Sequence, residues 1–179
     1  MKGTYLIFAK ANEESDKEVV SILSKMNNVE REKNRKSYYG SLSNLTKHVL
    51  GGTVFLLSLL RESVAKNSKA IKALDLLANI KIPEAKKLKE DDWKALCLGL
   101  KTANKAYIDF ISALTDKDFT APVKINWYKG KPASVPVYFM LQQLISHGLH
   151  HRGQISQILD SLKIDNEYSG INVKFLSKK

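Results

Sequence analysis

Cysteine is nearly absent from this sequence. Among 179 residues only Cys97 is a cysteine, so no disulfide can form within the chain. A lone thiol agrees with a reducing compartment, and we predict a cytoplasmic protein. Cys97 lies beside an apolar helical stripe, and the sequence contains no sign of a lowered thiol pKa there. This pattern favours a position in the core over the role of a nucleophile.

Long hydrophobic runs are absent as well. No apolar stretch approaches the roughly 20 residues that span a bilayer, and the apolar patch near the N-terminus is too short for a signal peptide. With 44% hydrophobic and 26% charged residues, the composition is that of an ordinary globular protein. No repeat or low-complexity linker divides the chain, so we predict a single domain over residues 1–179 and no contact with membranes.

Arginine is scarce, although the chain is strongly basic. The formal net charge is +11, but only 4 of the 29 basic residues are arginine. Proteins that read nucleic acids usually rely on the bidentate guanidinium group, and the lysines here are spread over faces predicted to be solvated. A lysine-rich surface is therefore the favoured interpretation. A basic nucleic-acid-binding protein remains as the third functional hypothesis.

Four long segments carry apolar residues at the 3-4 spacing of amphipathic helices. They cover about residues 4–26, 41–59, 90–114 and 135–163, with Ser41 and Ser134 as candidate N-caps. The charged residues at 13–18 are predicted to face solvent. Residues 70–79 are predicted to form a shorter helix or to extend the second long one, and residues 30–36 are predicted to form a polar connector. These stripes are typical of helices in a bundle, so the predicted fold class is all-α, a four-helix bundle.

The segment from Asp116 to Ser134 lacks the helical period, and Pro122, Gly130 and Pro132 interrupt it. Apolar and polar residues alternate over 123–128, which indicates a loop or short hairpin before the last long helix. The segment either forms a wall or lid of a pocket or serves as a plain crossover connection. The tail from residue 165 onward is predicted to pack back in an extended conformation.

Histidine is the residue type with the most informative distribution. Three of the four histidines fall within positions 147–151. The i, i+4 spacing of His147 and His151 places both imidazoles on one helix face, and His48 lies beside the apolar stripe of another helix. His151 also occupies a position where the stripe predicts an apolar residue. The pattern favours a three-histidine metal site with an open position, and structural histidines held by hydrogen bonds are the alternative.

Several neighbouring residues bear on this hypothesis. His150 is predicted to be exposed, with support of the ligands as the alternative. Gln154 either hydrogen-bonds a ligand or a bound water, or lies on the surface. Gly51 and Gly52 follow the first histidine, and two glycines within a helix indicate either space kept for a ligand or close helix packing. Gly148 excludes the HExxH zinc-protease motif, because the general-base glutamate is missing.

Two motifs resemble the DinB-like family of metal-binding proteins. Residues 45–51, centred on His48, are followed about a hundred residues later by residues 144–155, which contain the run His-His-Arg-Gly-Gln. The resemblance covers nearly the whole chain. It implies an up-down-down-up four-helix bundle, frequently a homodimer. It also implies a divalent metal ion, zinc or nickel, bound by His48, His147 and His151.

The resemblance further implies a class of reaction. The DinB-like family includes bacterial S-transferases that use a low-molecular-weight thiol such as bacillithiol, and other relatives isomerise small acids with a thiol cofactor. The first hypothesis is therefore a metal-dependent thiol S-transferase, or a related hydrolase or isomerase, that acts on a small thiol and a small electrophile. The second hypothesis is a non-catalytic metal-binding stress-response protein. No residue of the sequence is an evident general base, so catalytic residues are not assigned.

Overall fold

The computed structural model describes residues 1–126 and 130–168. This part of the chain is predominantly helical with one small two-stranded sheet, which confirms the all-α prediction at that level. None of its helices combines the length and the apolar character that a membrane span requires. In chain order the elements are α1 (Lys2–Ser24), α2 (Asn28–Glu32), α3 (Leu42–Ser58), α4 (Ser68–Asp75), α5 (Glu90–Ala113), α6 (Asp116–Phe119), β1 (Pro122–Ile125), β2 (Ala133–Pro136) and α7 (Val137–Ser161), with single 3-10 turns at Glu62–Val64 and Leu76–Asn79.

The four long helices α1, α3, α5 and α7 correspond to the four predicted segments. Ser41 is the N-cap of α3, as predicted, and its hydroxyl accepts a hydrogen bond from the Asn44 N–H at 3.2 Å. At the start of α5 the Asp92 carboxylate accepts from the Lys89 N–H at 2.8 Å. Side-chain oxygens thus satisfy backbone donors that have no partner within their own helix.

The predicted connector over residues 30–36 is partly wrong, because α2 begins before it and ends within it. The Asn27 side chain accepts from the Glu30 N–H at 2.9 Å and caps this short helix. The one-turn helix α6 was also not predicted. It begins after Thr115, whose hydroxyl caps it in the same way. A single capped turn is too short to give a periodic signal in the sequence.

The predicted short hairpin before the last helix is confirmed, but the predicted start of that helix is wrong. Ser134 does not cap a helix, because residues 133–136 form β2, which pairs antiparallel with β1 and sets Val135 opposite Val123. Val123 and Ile125 are buried, and the pairing of residues 133–136 with them takes the place of the first helical turn that the sequence predicted. Residues 127 and 128, which end the predicted alternating stretch, and residue 129 lie outside the described residues.

The long helices pack around two apolar clusters, and both α1 and α3 contact both α5 and α7. The first cluster includes Ala9, Leu57, Phe110 and Leu141. The second cluster includes Val19, Leu45, Leu96 and Ile155. Along the chain, α1 and α7 therefore run from the first cluster to the second, and α3 and α5 run in the opposite direction. The predicted tail begins as expected, since Tyr168 is buried against the second cluster, and residues 169–179 lie outside the described part.

Candidate metal centre

Three histidines meet where α3 contacts α7, between the two apolar clusters. His48 comes from the first half of α3, and His147 and His151 come from successive turns of α7. The Nε2 atoms of His48 and His147 lie 3.1 Å apart. One ring nitrogen from each of the three histidines can be chosen so that all lie within 4.8 Å of one another. The structure thus brings together the three residues that the sequence predicts as ligands.

The donor set fits a divalent metal ion. Two imidazole nitrogens that bind zinc at 2.0–2.1 Å in tetrahedral geometry lie about 3.3 Å apart. The observed 3.1 Å between His48 and His147 is close to that value. His48, His147 and His151 would hold the ion, and no carboxylate or thiol belongs to the cluster in the part of the chain that the structure describes. Three neutral nitrogen donors suit a transition-metal ion rather than calcium or magnesium.

Gln154 fixes the tautomer of one candidate ligand. The Nδ1–H of His151 donates to the Gln154 side-chain oxygen at 2.8 Å, one turn further along α7. A proton on Nδ1 leaves the lone pair on Nε2 free for a metal ion. The predicted hydrogen bond between Gln154 and a candidate ligand is therefore present, with the Gln154 oxygen as the acceptor, and the surface alternative is wrong.

The pKa values of all three candidate ligands are lowered from the ordinary value of 6.5. Burial is the largest cause for His147, and the nearby His151 and His48 add to it, so that its pKa falls to about 4. Burial and His151 lower the pKa of His48. Burial also lowers the pKa of His151, although the hydrogen bond that His151 donates to Gln154 opposes this shift. At neutral pH the three imidazoles are therefore uncharged, which is the form that binds metal.

Gly52 provides the space that the ring of His147 fills. A Cβ atom at Gly52 would lie 2.2 Å from Cε1 and 2.6 Å from Nε2 of His147, whereas a Cβ at Gly51 would meet nothing within 4 Å. The sequence left open whether the glycines keep space for a ligand or allow close helix packing. At Gly52 both apply, because the missing side chain lets the ring of the candidate ligand His147 pack against α3. Gly51 serves neither purpose.

Tyr39 forms an aromatic wall of the site that the sequence did not reveal. Its ring stacks on His48 with centroids 4.3 Å apart and an interplanar angle of 26°. It also meets His151 edge to face, with centroids 5.5 Å apart and an interplanar angle of 83°. Tyr39 lies in the loop before α3, where Gly40 adopts a φ of +77°.

His150 is exposed, as predicted, with its ring centroid 4.8 Å from that of His151.

A buried polar network lies on the other side of α7. The Arg152 guanidinium donates to the Asn12 side-chain oxygen at 2.6 Å and to the Asp16 carboxylate at 3.0 Å. The amide groups of Asn12 and Asn104 also donate to Asp16, at 3.1 and 2.8 Å. All four residues are buried. Gly148 makes room for them, since a Cβ there would lie 2.8 Å from the Asn12 oxygen.

The prediction that Asp16 faces solvent is therefore wrong. Its side chain is 8% exposed and forms an ion pair with Arg152, whose side chain is 5% exposed. Burial raises the pKa of Asp16, whereas Arg152 and the two amides oppose this shift because they stabilise the carboxylate. A signal was present in the sequence, because residues 9, 12, 16, 19 and 23 follow the 3-4 spacing of a buried stripe.

Cys97 has the properties of a structural residue, as predicted. The thiol is partly buried, and burial raises its pKa. A thiol with a raised pKa is a poor nucleophile at neutral pH.

Comparison with known proteins gives one match. The family model of the DinB family matches residues 1–162, which include all three histidines and every described long helix. No curated protein and no solved structure matches the chain. The match covers most of the sequence and agrees with the histidine cluster between α3 and α7, and the chain belongs to the DinB family.

Proposed function

We propose that this protein binds a divalent metal ion, zinc or nickel, through His48, His147 and His151 and transfers a low-molecular-weight thiol onto a small electrophile. The observation that carries the proposal is the convergence of three neutral imidazoles from two helices. Zinc sites with three protein ligands keep a fourth position for water or substrate. Membership of the DinB family supports the same assignment.

A bound metal ion would lower the pKa of a thiol that coordinates it and so supply a thiolate at neutral pH. The chain itself positions the groups around this reaction. Gln154 holds His151 in one tautomer, and the absence of a side chain at Gly52 lets the His147 ring lie in the site. The ring of Tyr39 covers one face of His48 and shields it from water.

No carboxylate belongs to the described histidine cluster. Isomerisation of an acid requires a group that moves a proton during the reaction, whereas a thiol or a water bound to the ion would already be ionised. The cluster therefore favours thiol transfer and metal-assisted hydrolysis over isomerisation. Thiol transfer ranks first within this proposal because the family resemblance implies it.

Four further assignments belong to the proposal. The four long helices form an up-down-down-up bundle, which is supported by their contacts and by their opposite directions between the two apolar clusters. The chain folds as a single domain, and the family match over residues 1–162 supports this. It forms a homodimer, as the resemblance implies. The protein works in the cytoplasm, in agreement with its single free thiol.

The metal content of purified, tag-free protein tests the ligand assignment. We expect about one metal ion per chain in the wild type, as in other three-histidine sites, and a loss of metal in His151→Ala. His150→Ala is the matched control, because it removes the adjacent, exposed imidazole and should retain the metal. No metal in the wild type, even after incubation with zinc or nickel, would exclude the site.

A screen for thiol consumption tests the reaction. Metal-loaded protein is incubated with bacillithiol or another small thiol and a panel of electrophiles, and the loss of free thiol is followed. Consumption that depends on His151 supports the transferase. Bound metal without thiol consumption for any electrophile would instead support a non-catalytic metal-binding stress-response protein. A DNA affinity that falls steeply with salt would point to the nucleic-acid hypothesis.

A further inference from the structure

An open cleft lies directly beside His48. It has a volume of about 480 Å³ and is lined by Tyr39, Asn44, Lys47, His48 and Lys86. Because His48 and the stacked Tyr39 form part of its wall, a molecule in the cleft would contact one of the three candidate ligands.

Two hydrogen bonds hold the cleft together. The segment before α5 lies against the first turns of α3, where the Lys47 ammonium donates to the Ala85 carbonyl at 2.9 Å. The Asn44 side chain donates to the Lys86 carbonyl at 2.9 Å. These contacts fix the backbone that carries Lys86 next to Lys47. The cleft thus brings two lysines, distant in sequence, to the same rim.

The positive charge of this rim is not neutralised within residues 1–126 and 130–168. Neither Lys47 nor Lys86 forms an ion pair with a carboxylate there. Lys17, Lys94 and Lys105, in contrast, each lie within 3.2 Å of an acidic side chain. The Lys47 ammonium donates one of its three hydrogens to the Ala85 carbonyl, and the other two can donate to a ligand.

We propose that this cleft binds the carboxylate of a small anionic substrate and thereby selects negatively charged molecules for the histidine centre. The proposal rests on the proposed function for the reaction, and it adds the substrate class. Two ammonium groups at one rim attract an anion and donate charge-assisted hydrogen bonds to it. The apolar ring of Tyr39 would contact the remainder of the bound substrate, next to His48.

Binding of malonate to metal-free protein tests the cleft without the reaction. Malonamide, which has the same shape but no charge, is the matched ligand. We expect malonate to bind more tightly than malonamide and to weaken as salt is added. Lys86→Gln should weaken malonate binding by roughly 1.5- to fivefold, the range for an exposed charge pair. Lys47→Gln should have a similar effect, and Lys47→Arg should restore binding.

Lys72→Gln is the control variant, because it removes the same charge from a different lysine-lined cleft. Equal binding of malonate and malonamide would overturn the proposal. The same loss in Lys72→Gln as in Lys86→Gln would also overturn it, because net charge alone would then explain the effect. Lys86→Gln removes no hydrogen bond that holds the segment in place, since only its backbone carbonyl is engaged. Its result therefore does not depend on a folding defect.

Cobalt-loaded protein tests whether the cleft and the metal centre are neighbours. We expect paramagnetic broadening of the malonate methylene protons, with less broadening in Lys86→Gln. The two proposals fail separately. Charge-selective binding without thiol consumption would exclude the transferase and keep the cleft. Thiol consumption whose KM for anionic and neutral electrophiles is the same in wild type and Lys86→Gln would exclude the cleft and keep the transferase.

Discussion

Replacing Gly52 with alanine should separate metal binding from folding. The new Cβ atom would lie 2.2 Å from Cε1 of His147, whereas ordinary contacts begin at 3.4 Å. The difference, 3.4 − 2.2, requires the ring to move by about 1.2 Å. Metal–ligand distances tolerate deviations of only about 0.2 Å. The displaced imidazole can therefore no longer act as the third ligand.

We expect Gly52→Ala to lower the affinity for zinc by at least about 100-fold, because the loss of a ligand exceeds the 10–100-fold effect of losing a supporting contact. The fold should be retained, since the clash involves the end of a side chain that can rotate away. Alanine also favours a helix over glycine by about 1 kcal/mol. Stability in urea should therefore stay close to that of the wild type, and zinc affinity is measured by competition with a chromophoric chelator.

Gly51→Ala is the matched control. It makes the same change one residue earlier in α3, where a Cβ meets nothing within 4 Å. This variant should bind zinc like the wild type and gain about 0.5–1 kcal/mol of stability. The reasoning would be refuted if both variants kept full affinity, or if both lost it to the same extent.

Three further predictions concern the surroundings of the site. Asp16→Ala should destabilise the protein by about 3–5 kcal/mol in urea, because it leaves a buried guanidinium without its carboxylate. Arg61→Ala, which breaks an exposed ion pair, should cost less than about 1 kcal/mol in the same assay. Gln154→Leu should lower zinc affinity by about 10–100-fold, because the tautomer of His151 is no longer fixed. Finally, metal-free protein should lose stability as the pH falls from 6.5 towards 4. The pKa of His147 is about 4 in the folded protein and 6.5 ordinarily. Between these pH values the unfolded chain binds more protons than the folded protein, so acidification favours the unfolded state.

Each of these predictions has an opposing result. Similar losses of stability in Asp16→Ala and Arg61→Ala would mean that burial does not distinguish the two ion pairs. Full zinc affinity in Gln154→Leu would remove its role in holding the ligand. For the pH series, the control is His147→Ala, in which the slope between pH 6.5 and 4 should become shallower. An unchanged slope would show that another group titrates.

The sequence predicts the buried faces of the long helices well. The stripe of α5 from Trp93 to Leu114 is buried at each of its seven positions, because the 3-4 spacing reports directly which side of a helix is removed from water. The histidine pair was predictable for the same reason, since i and i+4 must share a face. That His48 meets this pair is a tertiary contact; the position of His48 beside the apolar stripe of another helix predicted it, and the family resemblance implied it as well.

The same spacing marks Asn12 and Asp16 as buried positions of α1, but it could not predict the polar network that they form. Asp16 stands among charged neighbours, and a carboxylate is buried only where it finds a partner. Its partner Arg152 is 136 residues away, and no local pattern connects the two. Tyr39 was missed for a related reason, because its position depends on how a loop folds over His48. The start of α7 depended on strand pairing, which is likewise invisible to a helical period.

The network of Asn12, Asp16, Asn104 and Arg152 has a consequence for how the helices align. Moving α7 by one turn, about 5.4 Å, would carry Arg152 into one of the two apolar clusters and leave its charge without a partner there. Only one alignment of α1, α5 and α7 avoids this cost. A sequence with leucine at these positions would pack at several offsets of similar energy. The buried polar network thus fixes the position of His147 and His151 along the axis of α7, although it lies on another side of that helix.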